Sequence, residues 1–170
     1  SSKNNNKCKA DFISLATAGY EESFGKLLKE VEGKEINIYS FEDDKQIQKA
    51  IDIYSNLAEA YYRIENKDKA FEYFEKALEK DTNNLMVLNN YAYYLCLENI
   101  ELDKAEKMSK QTYDAQSYNI TFADTYAWIL FAKKDYQNAK MILDNFLSEQ
   151  ETWSETVKDH YQKILEALNQ

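Results

Sequence analysis

Proline is absent from this chain of 170 residues, and glycine occurs only three times. Sandwiches and barrels of β-strands need many tight turns, which usually use these two residues. Their scarcity disfavours an all-β fold and favours helices joined by short polar turns. Apolar runs are also short, and none approaches the roughly 20 residues that a membrane-spanning helix requires.

Basic residues and metal ligands are scarce too. The 21 Lys and Arg are outnumbered by 30 Asp and Glu, which gives a formal charge of −9. Nucleic acids are bound through clustered basic side chains, so a nucleic-acid partner is disfavoured. One histidine, His160, and two cysteines, Cys8 and Cys96, cannot build a common zinc site. We expect His160 to face solvent or to pack at a helix end, and Cys96 to be a free, half-buried thiol.

The usual signatures of catalysis are missing. The three glycines are scattered and lack the Lys-Ser/Thr ending of a phosphate-binding loop. No serine stands in the Gly-flanked turn of a hydrolase nucleophile. The acidic run at residues 42–44 lies at a predicted helix start, where the helix dipole favours negative charge. We therefore predict a protein that is not an enzyme, with no catalytic residue, no metal and no cofactor.

Apolar residues recur at steps of three and four along most of the chain, which is the pattern of amphipathic helices. The pattern predicts a disordered tether at residues 1–9. Residues 10–50 then contain an N-terminal helix (10–32), a connector and the start of a long helix. Three helix pairs follow at 51–84, 85–119 and 120–153, and a C-terminal capping helix at 154–170 ends the chain.

Small residues repeat at a fixed spacing within the three pairs. Ala58, Ala92 and Ala127 are separated by 34 and 35 positions. A second set, Ala70, Ala105 and Ala139, is separated by 35 and 34 positions. Two helices that cross closely need a small side chain at the contact point, so each set predicts one helix–helix crossing per pair.

The residues around these alanines resemble a known repeat. The first pair reads Tyr54-x-x-Leu57-Ala58-x-x-Tyr61, then Ala70-x-x-x-Phe74-x-x-Ala77. A helix-turn-helix unit of this length and pattern resembles the tetratricopeptide repeat, and the two later pairs resemble the closing repeats of bacterial envelope proteins. The resemblance implies an all-α, right-handed solenoid of about three stacked helix pairs, with an N-terminal helix that either caps the array or occupies its groove.

The same resemblance implies where a partner binds, because the first helix of each pair lines the concave side of such a solenoid. Aromatic side chains with a few polar groups suit an apolar or weakly basic peptide, and Asn89 is available to a backbone amide. The alternative is that these aromatics pack against the N-terminal helix or against one another. The candidate partner-binding residues are Tyr62, Met86, Asn89, Tyr93, Asp124, Trp128 and Phe131.

Three functions remain open at this point. A peptide- or protein-binding scaffold is favoured. The alternative is a structural module that associates with copies of itself, and a regulatory domain of an enzyme is the third. Recognition of an acidic chaperone tail is disfavoured, since residues such as Asp52 and Asp124 would repel it.

The polar opening of the chain bears on its location. Ser1 to Asn6 resembles the tether that follows the lipidated cysteine of bacterial lipoproteins. This composition predicts a lipid anchor upstream of Ser1 and residence in the bacterial envelope, with the cytoplasm as the alternative.

Overall fold

The computed structural model describes residues 44–169 of the chain. The predicted tether, N-terminal helix and connector, together with Cys8, lie outside these described residues. Residues 44–169 form seven α-helices and one 3-10 helix and contain no strand. They belong to two compact units, divided between Asn83 and Asn84.

The described part of the first unit, residues 44–83, contains one antiparallel helix pair. Helix α1 runs over Asp44–Arg63 and α2 over Lys67–Lys80, and the two pack along their lengths. Ala58 and Ala70 are fully buried at their predicted crossing positions, and Phe74 is fully buried beside them. Tyr73 stacks on Tyr61 with ring centroids 5.4 Å apart, which fills the space between the helices with aromatic surface.

The second unit contains two helix pairs and a final helix. The pairs are α3 (Leu85–Leu97) with α4 (Leu102–Ala115) and α5 (Ile120–Ala132) with α6 (Tyr136–Asp144). A 3-10 helix over Leu147–Thr152 leads into α7 (Glu155–Leu168). Alanine is again buried at the predicted crossing positions, with Ala92, Ala105, Ala127 and Ala139 all fully buried.

The order of contacts shows how the second unit is stacked. Helix α4 packs on α5, and α6 packs on α7. The first helices of the pairs also lie side by side, because α3 contacts α5 and α5 contacts α7. Helix α7 therefore takes the place that the first helix of a further pair would occupy. The prediction of an all-α repeat fold is confirmed.

Side chains cap the starts of α3 and α7. The Asn84 side chain accepts a hydrogen bond from Val87 N at 3.1 Å, and the Ser154 hydroxyl accepts one from Val157 N at 3.3 Å. Each bond satisfies a backbone donor that the first turn of a helix leaves free.

The turn inside each helix pair is the same backbone structure used three times. Glu65, Asn99 and Lys134 have positive φ angles of 62°, 54° and 66°. Each of these residues donates its N–H to the carbonyl three positions back, and the next residue donates to the carbonyl five positions back. This pair of bonds is the Schellman ending of a helix. The repeat is therefore visible in the backbone as well as in the alanines.

Helix α7 packs on the other helices of the second unit through apolar contacts. Trp153, Val157, Tyr161 and Ile164 are buried against a core that includes Ala127, Leu130 and Leu143. The Tyr161 hydroxyl donates to Asp144 Oδ1 at 2.8 Å. No helix within residues 44–169 has the length and apolar character needed to cross a membrane.

Candidate functional site

Three helices of the second unit, α3, α5 and α7, lie side by side. We call the side of these helices that carries the candidate residues the first-helix face and define it by Met86, Asn89, Tyr93, Asp124, Trp128, Phe131 and His160. Six of these seven are the predicted partner-binding residues, and the structure adds His160. The seventh predicted residue, Tyr62, is half-buried in the last turn of α1 and belongs to the first unit.

Helix α3 contributes the more open part of this face. Met86, Asn89 and Tyr93 follow one another at steps of three and four, so they lie along one side of the helix. Met86 is 57% exposed, Tyr93 is half-buried and Asn89 is only 3% exposed. The prediction placed Asn89 as an accessible polar group, whereas its side chain is almost fully enclosed.

The enclosed amide of Asn89 is incompletely paired. Its Nδ2 donates to Asn90 Oδ1 at 3.3 Å, but its Oδ1 accepts no hydrogen bond from the described residues. A buried acceptor without a donor costs about 1–3 kcal/mol. The Tyr93 hydroxyl, one turn further along, makes no hydrogen bond within residues 44–169 either, although its ring lies near Tyr94 and His160. Helix α3 thus carries unused hydrogen-bonding groups.

On helix α5, in contrast, the buried polar side chain has a hydrogen-bond partner. Asp124 is 7% exposed, and both of its carboxylate oxygens lie 3.0 Å from His160 Nδ1. The predicted groove carboxylate therefore already has an internal partner. Because a buried carboxylate is costly unless it is paired, His160 explains how Asp124 is tolerated at this position.

His160 is where the sequence prediction is wrong. It was expected at the solvent or at a helix end, but it is 5% exposed and lies in the middle of α7. A signal for its burial exists in the sequence. His160 follows Val157 by three positions and precedes Ile164 by four, which places it on the apolar side of α7.

Two rings stack on the Trp128 indole. The His160 ring stacks on it with centroids 3.9 Å apart, and the Phe131 ring stacks with centroids 4.6 Å apart. Phe131 also touches Tyr136 at the start of α6, with centroids 5.3 Å apart. For Trp128 and Phe131 the alternative interpretation, in which the aromatics pack on one another, describes the structure.

Burial changes the acid–base behaviour of two groups between α3 and α5. It raises the pKa of the Cys96 thiol to about 11, and this thiol lies 3.8 Å from the carbonyl oxygen of Trp128. It also raises the pKa of Tyr93, with a smaller contribution from the Asp124 carboxylate. Cys96 was expected to be half-buried but is buried and free. Within residues 44–169, no group of three or more His, Cys, Asp or Glu side chains could hold a metal ion.

One charged pair lies next to Trp128. Lys163 Nζ lies 5.7 Å from the centre of the Trp128 ring and 2.6 Å from Asp159 Oδ2, on the same helix. The chemistry that this face offers is hydrogen bonding and aromatic contact. The fold is that of a helical-repeat protein. Its first-helix face carries the amide of Asn89, the imidazole of His160 and several aromatic rings on neighbouring helices.

Comparison with known proteins identifies the repeat. Residues 45–84 match the sequence model of the tetratricopeptide repeat. This segment is a tetratricopeptide repeat, as the alanine spacing predicted. No curated protein has a sequence that matches this one.

Solved structures share the fold at low sequence identity. A mutant of the protein MamA superposes with a TM-score of 0.69 at 16% identity, covering 99% of this chain and 90% of that one. The first tetratricopeptide domain of Spaghetti (RPAP3), solved with the HSP90 peptide SRMEEVD, superposes with a TM-score of 0.60 at 19% identity. It covers 72% of this chain and 98% of that domain.

Proposed function

We propose that this protein is a non-catalytic scaffold that binds a segment of another protein on its first-helix face. The observation that supports this most directly is the unpaired Oδ1 of Asn89, enclosed on a face that also offers the half-buried ring of Tyr93. A peptide N–H donated to this oxygen would remove the cost of an unsatisfied acceptor. Binding of a peptide would therefore gain this free energy, which the free chain does not have.

The surroundings of Asn89 favour an apolar partner segment. Met86 and Tyr93 flank it along α3 with exposed or half-exposed apolar surface. A peptide reaches this enclosed oxygen only if neighbouring side chains rotate on binding, and such rotations are common at interfaces. The similar RPAP3 domain was solved with a peptide, which supports peptide binding as a use of this fold.

The proposal is tested with a displayed library of short random peptides panned against the whole chain. We expect enrichment of apolar sequences, and we call the best binder the selected peptide. Asn89→Leu keeps the size of the side chain and removes the acceptor, so it should weaken the selected peptide about 10-fold.

Asn145→Leu is the matched control, because Asn145 is an exposed asparagine at the end of α6. It should leave the affinity unchanged. Equal affinities for the wild type and Asn89→Leu would refute the placement of the site, and a library without any enriched sequence would refute peptide binding itself.

We also propose, from the tether composition alone, that the protein resides in the bacterial envelope as a lipoprotein. Incorporation of labelled palmitate into the full gene product tests this, and a product that takes up no label contradicts it.

A further inference from the structure

One side of helix α1 is apolar along the whole helix. Ala50, Ile53, Leu57, Ala60 and Ile64 follow one another at steps of three and four, so they lie on the same side. We call these five residues the leading side of α1. Ala50 and Leu57 are fully buried and Ala60 is 8% exposed, whereas Ile64, directly after the helix, is 43% exposed.

Helix α2 contacts α1 along a different line. Tyr73 of α2 stacks on Tyr61 with ring centroids 5.4 Å apart, and its centroid lies 5.9 Å from that of Tyr54. Ile53 and Ala60 each precede one of these two tyrosines by one position, which is about 100° around the helix. Within residues 44–83 there is no third helix. The contact with α2 therefore does not account for the leading side.

The equivalent side of α5 shows what packs at this place in the repeat. Tyr126 stands two repeats after Leu57, and Tyr113 of α4 has its ring centroid 5.6 Å from that of Tyr126. Lys133 stands two repeats after Ile64 and pairs with two carboxylates of α4. In α5 this side is thus covered by the second helix of the preceding pair.

We propose that residues 10–32 of this chain form the helix that covers the leading side of α1, in the way that α4 covers α5. These residues lie outside the described part of the chain, and the argument for them is their sequence. Tyr20, Phe24, Leu27 and Val31 recur at steps of four, three and four, and Gly33 follows, as is common after a helix end. This inference goes beyond the proposed function and does not depend on it.

The covalent connection favours this occupant over a separate molecule. A helix of the 23 residues 10–32 is about 35 Å long, and the 20 residues of α1 span about 30 Å. The 11 residues 33–43 reach up to about 36 Å when extended, which is enough to join two antiparallel helices. A segment tethered in this way has an effective concentration on the order of millimolar. A second copy or another protein has to compete with it.

Two cysteine reporters on α1 test the proposal in the whole chain. Ala60→Cys places a thiol on the leading side, and Ala58→Cys places one about 160° away around the helix. Both are small replacements at buried positions. The rate of alkylation by iodoacetamide, followed by mass spectrometry of the separate peptides, reports how often each side of α1 opens. Cys8 and Cys96 are resolved as peptides of their own.

Phe24→Ala removes an aromatic ring from the proposed contact. It should raise the alkylation rate of Ala60→Cys about 10-fold and leave that of Ala58→Cys unchanged, because a weakened helix uncovers the leading side alone. Lys26→Ala is the matched control. Lys26 lies about 160° from Phe24 on the predicted helix, so its truncation should change neither rate.

The proposal is overturned if Phe24→Ala leaves the rate of Ala60→Cys unchanged, or if it raises the rates of both reporters equally. Each rate is also measured at two protein concentrations. Protection of Ala60→Cys that is the same at both supports an occupant within the chain. Protection that weakens on dilution identifies a second copy as the occupant and overturns the proposal. Each of these failures leaves the proposed function standing, since peptide binding is measured at Asn89.

Discussion

Asn89 and Asp124 occupy the same position in helices α3 and α5, 35 residues apart, but their side chains are in different states. Asn89 Oδ1 accepts nothing within the described residues, whereas both oxygens of Asp124 lie beside His160. The next pair repeats the contrast. Tyr93 is half-buried and its hydroxyl makes no hydrogen bond within residues 44–169, whereas two rings stack on Trp128. The difference lies in what the next first helix supplies, because α7 places His160 beside Asp124, whereas α5 places no donor within hydrogen-bonding distance of Asn89 Oδ1.

Loosening α7, which supplies the partner of Asp124, should have the largest effect on stability. Ile164→Ala removes a fully buried side chain from the core that holds this helix. We expect a loss of about 2–5 kcal/mol in the free energy of unfolding, because the cavity adds to the lost apolar burial. Urea unfolding followed by circular dichroism measures it.

Met141→Ala serves as the control for Ile164→Ala, since Met141 is an exposed apolar residue of α6. It should change stability by less than about 0.5 kcal/mol. Equal effects of the two substitutions would mean that α7 is not an integral part of the second unit.

Removal of the Asp124 carboxylate should have the next largest effect on the free energy of unfolding. Asp124→Ala leaves the buried Nδ1 of His160 without its acceptor, which costs about 1–3 kcal/mol. The double variant Asp124→Ala, His160→Ala should lose less than the sum of the single variants, because the two residues act as a pair. Additive losses in a double-mutant cycle would show that the contact contributes no coupling.

The third pair of equivalent positions, Cys96 and Phe131, gives a prediction for alkaline pH. Burial raises the folded-state pKa of Cys96 to about 11, above the value near 9 for a free thiol. The folded chain therefore favours the protonated thiol. The resulting stabilisation is complete below about pH 8.5 and is lost as the pH rises through about 11.

The expected loss at pH 10 is on the order of 1 kcal/mol relative to a Cys96→Ala variant, measured by urea unfolding at pH 7 and pH 10. Tyr161, whose pKa is raised to about 12 by burial and by its bond to Asp144, contributes at still higher pH in both proteins. A loss that is identical in the two proteins would show that the thiol is not protected.

Asn89→Leu should have the smallest effect on stability and the opposite sign. It removes an enclosed oxygen that lacks a donor, so the free energy of unfolding should rise by up to about 1 kcal/mol. The same variant is expected to bind the selected peptide more weakly. Thermal unfolding checks the first expectation, and a decrease in stability would mean that the Asn89 amide is satisfied in the free protein.

Local patterns predicted most of the architecture. The alanine spacing predicted buried small residues in all three helix pairs, and Asn84 and Ser154, which cap α3 and α7, are of residue types favoured at N-caps. Both features depend on residues near one another in the chain or on a strict period. The segments N-terminal to Asp44 stay predictions.

The candidate site was less predictable for a physical reason. The state of Asp124 depends on His160, which lies 36 positions away on a helix outside the three recognised pairs. Periodicity places a side chain on a face of its own helix but does not say which neighbour it will meet. It could have shown that His160 is on the apolar side of α7, but not that a carboxylate would lie opposite.

Both tryptophans of the sequence, Trp128 and Trp153, lie in the second unit. Indole emission will therefore follow that unit alone, and the first unit will be silent at those wavelengths. A melt recorded by emission and a melt recorded by far-ultraviolet ellipticity will coincide if the whole repeat array unfolds in one transition, and they will separate if its two parts come apart independently.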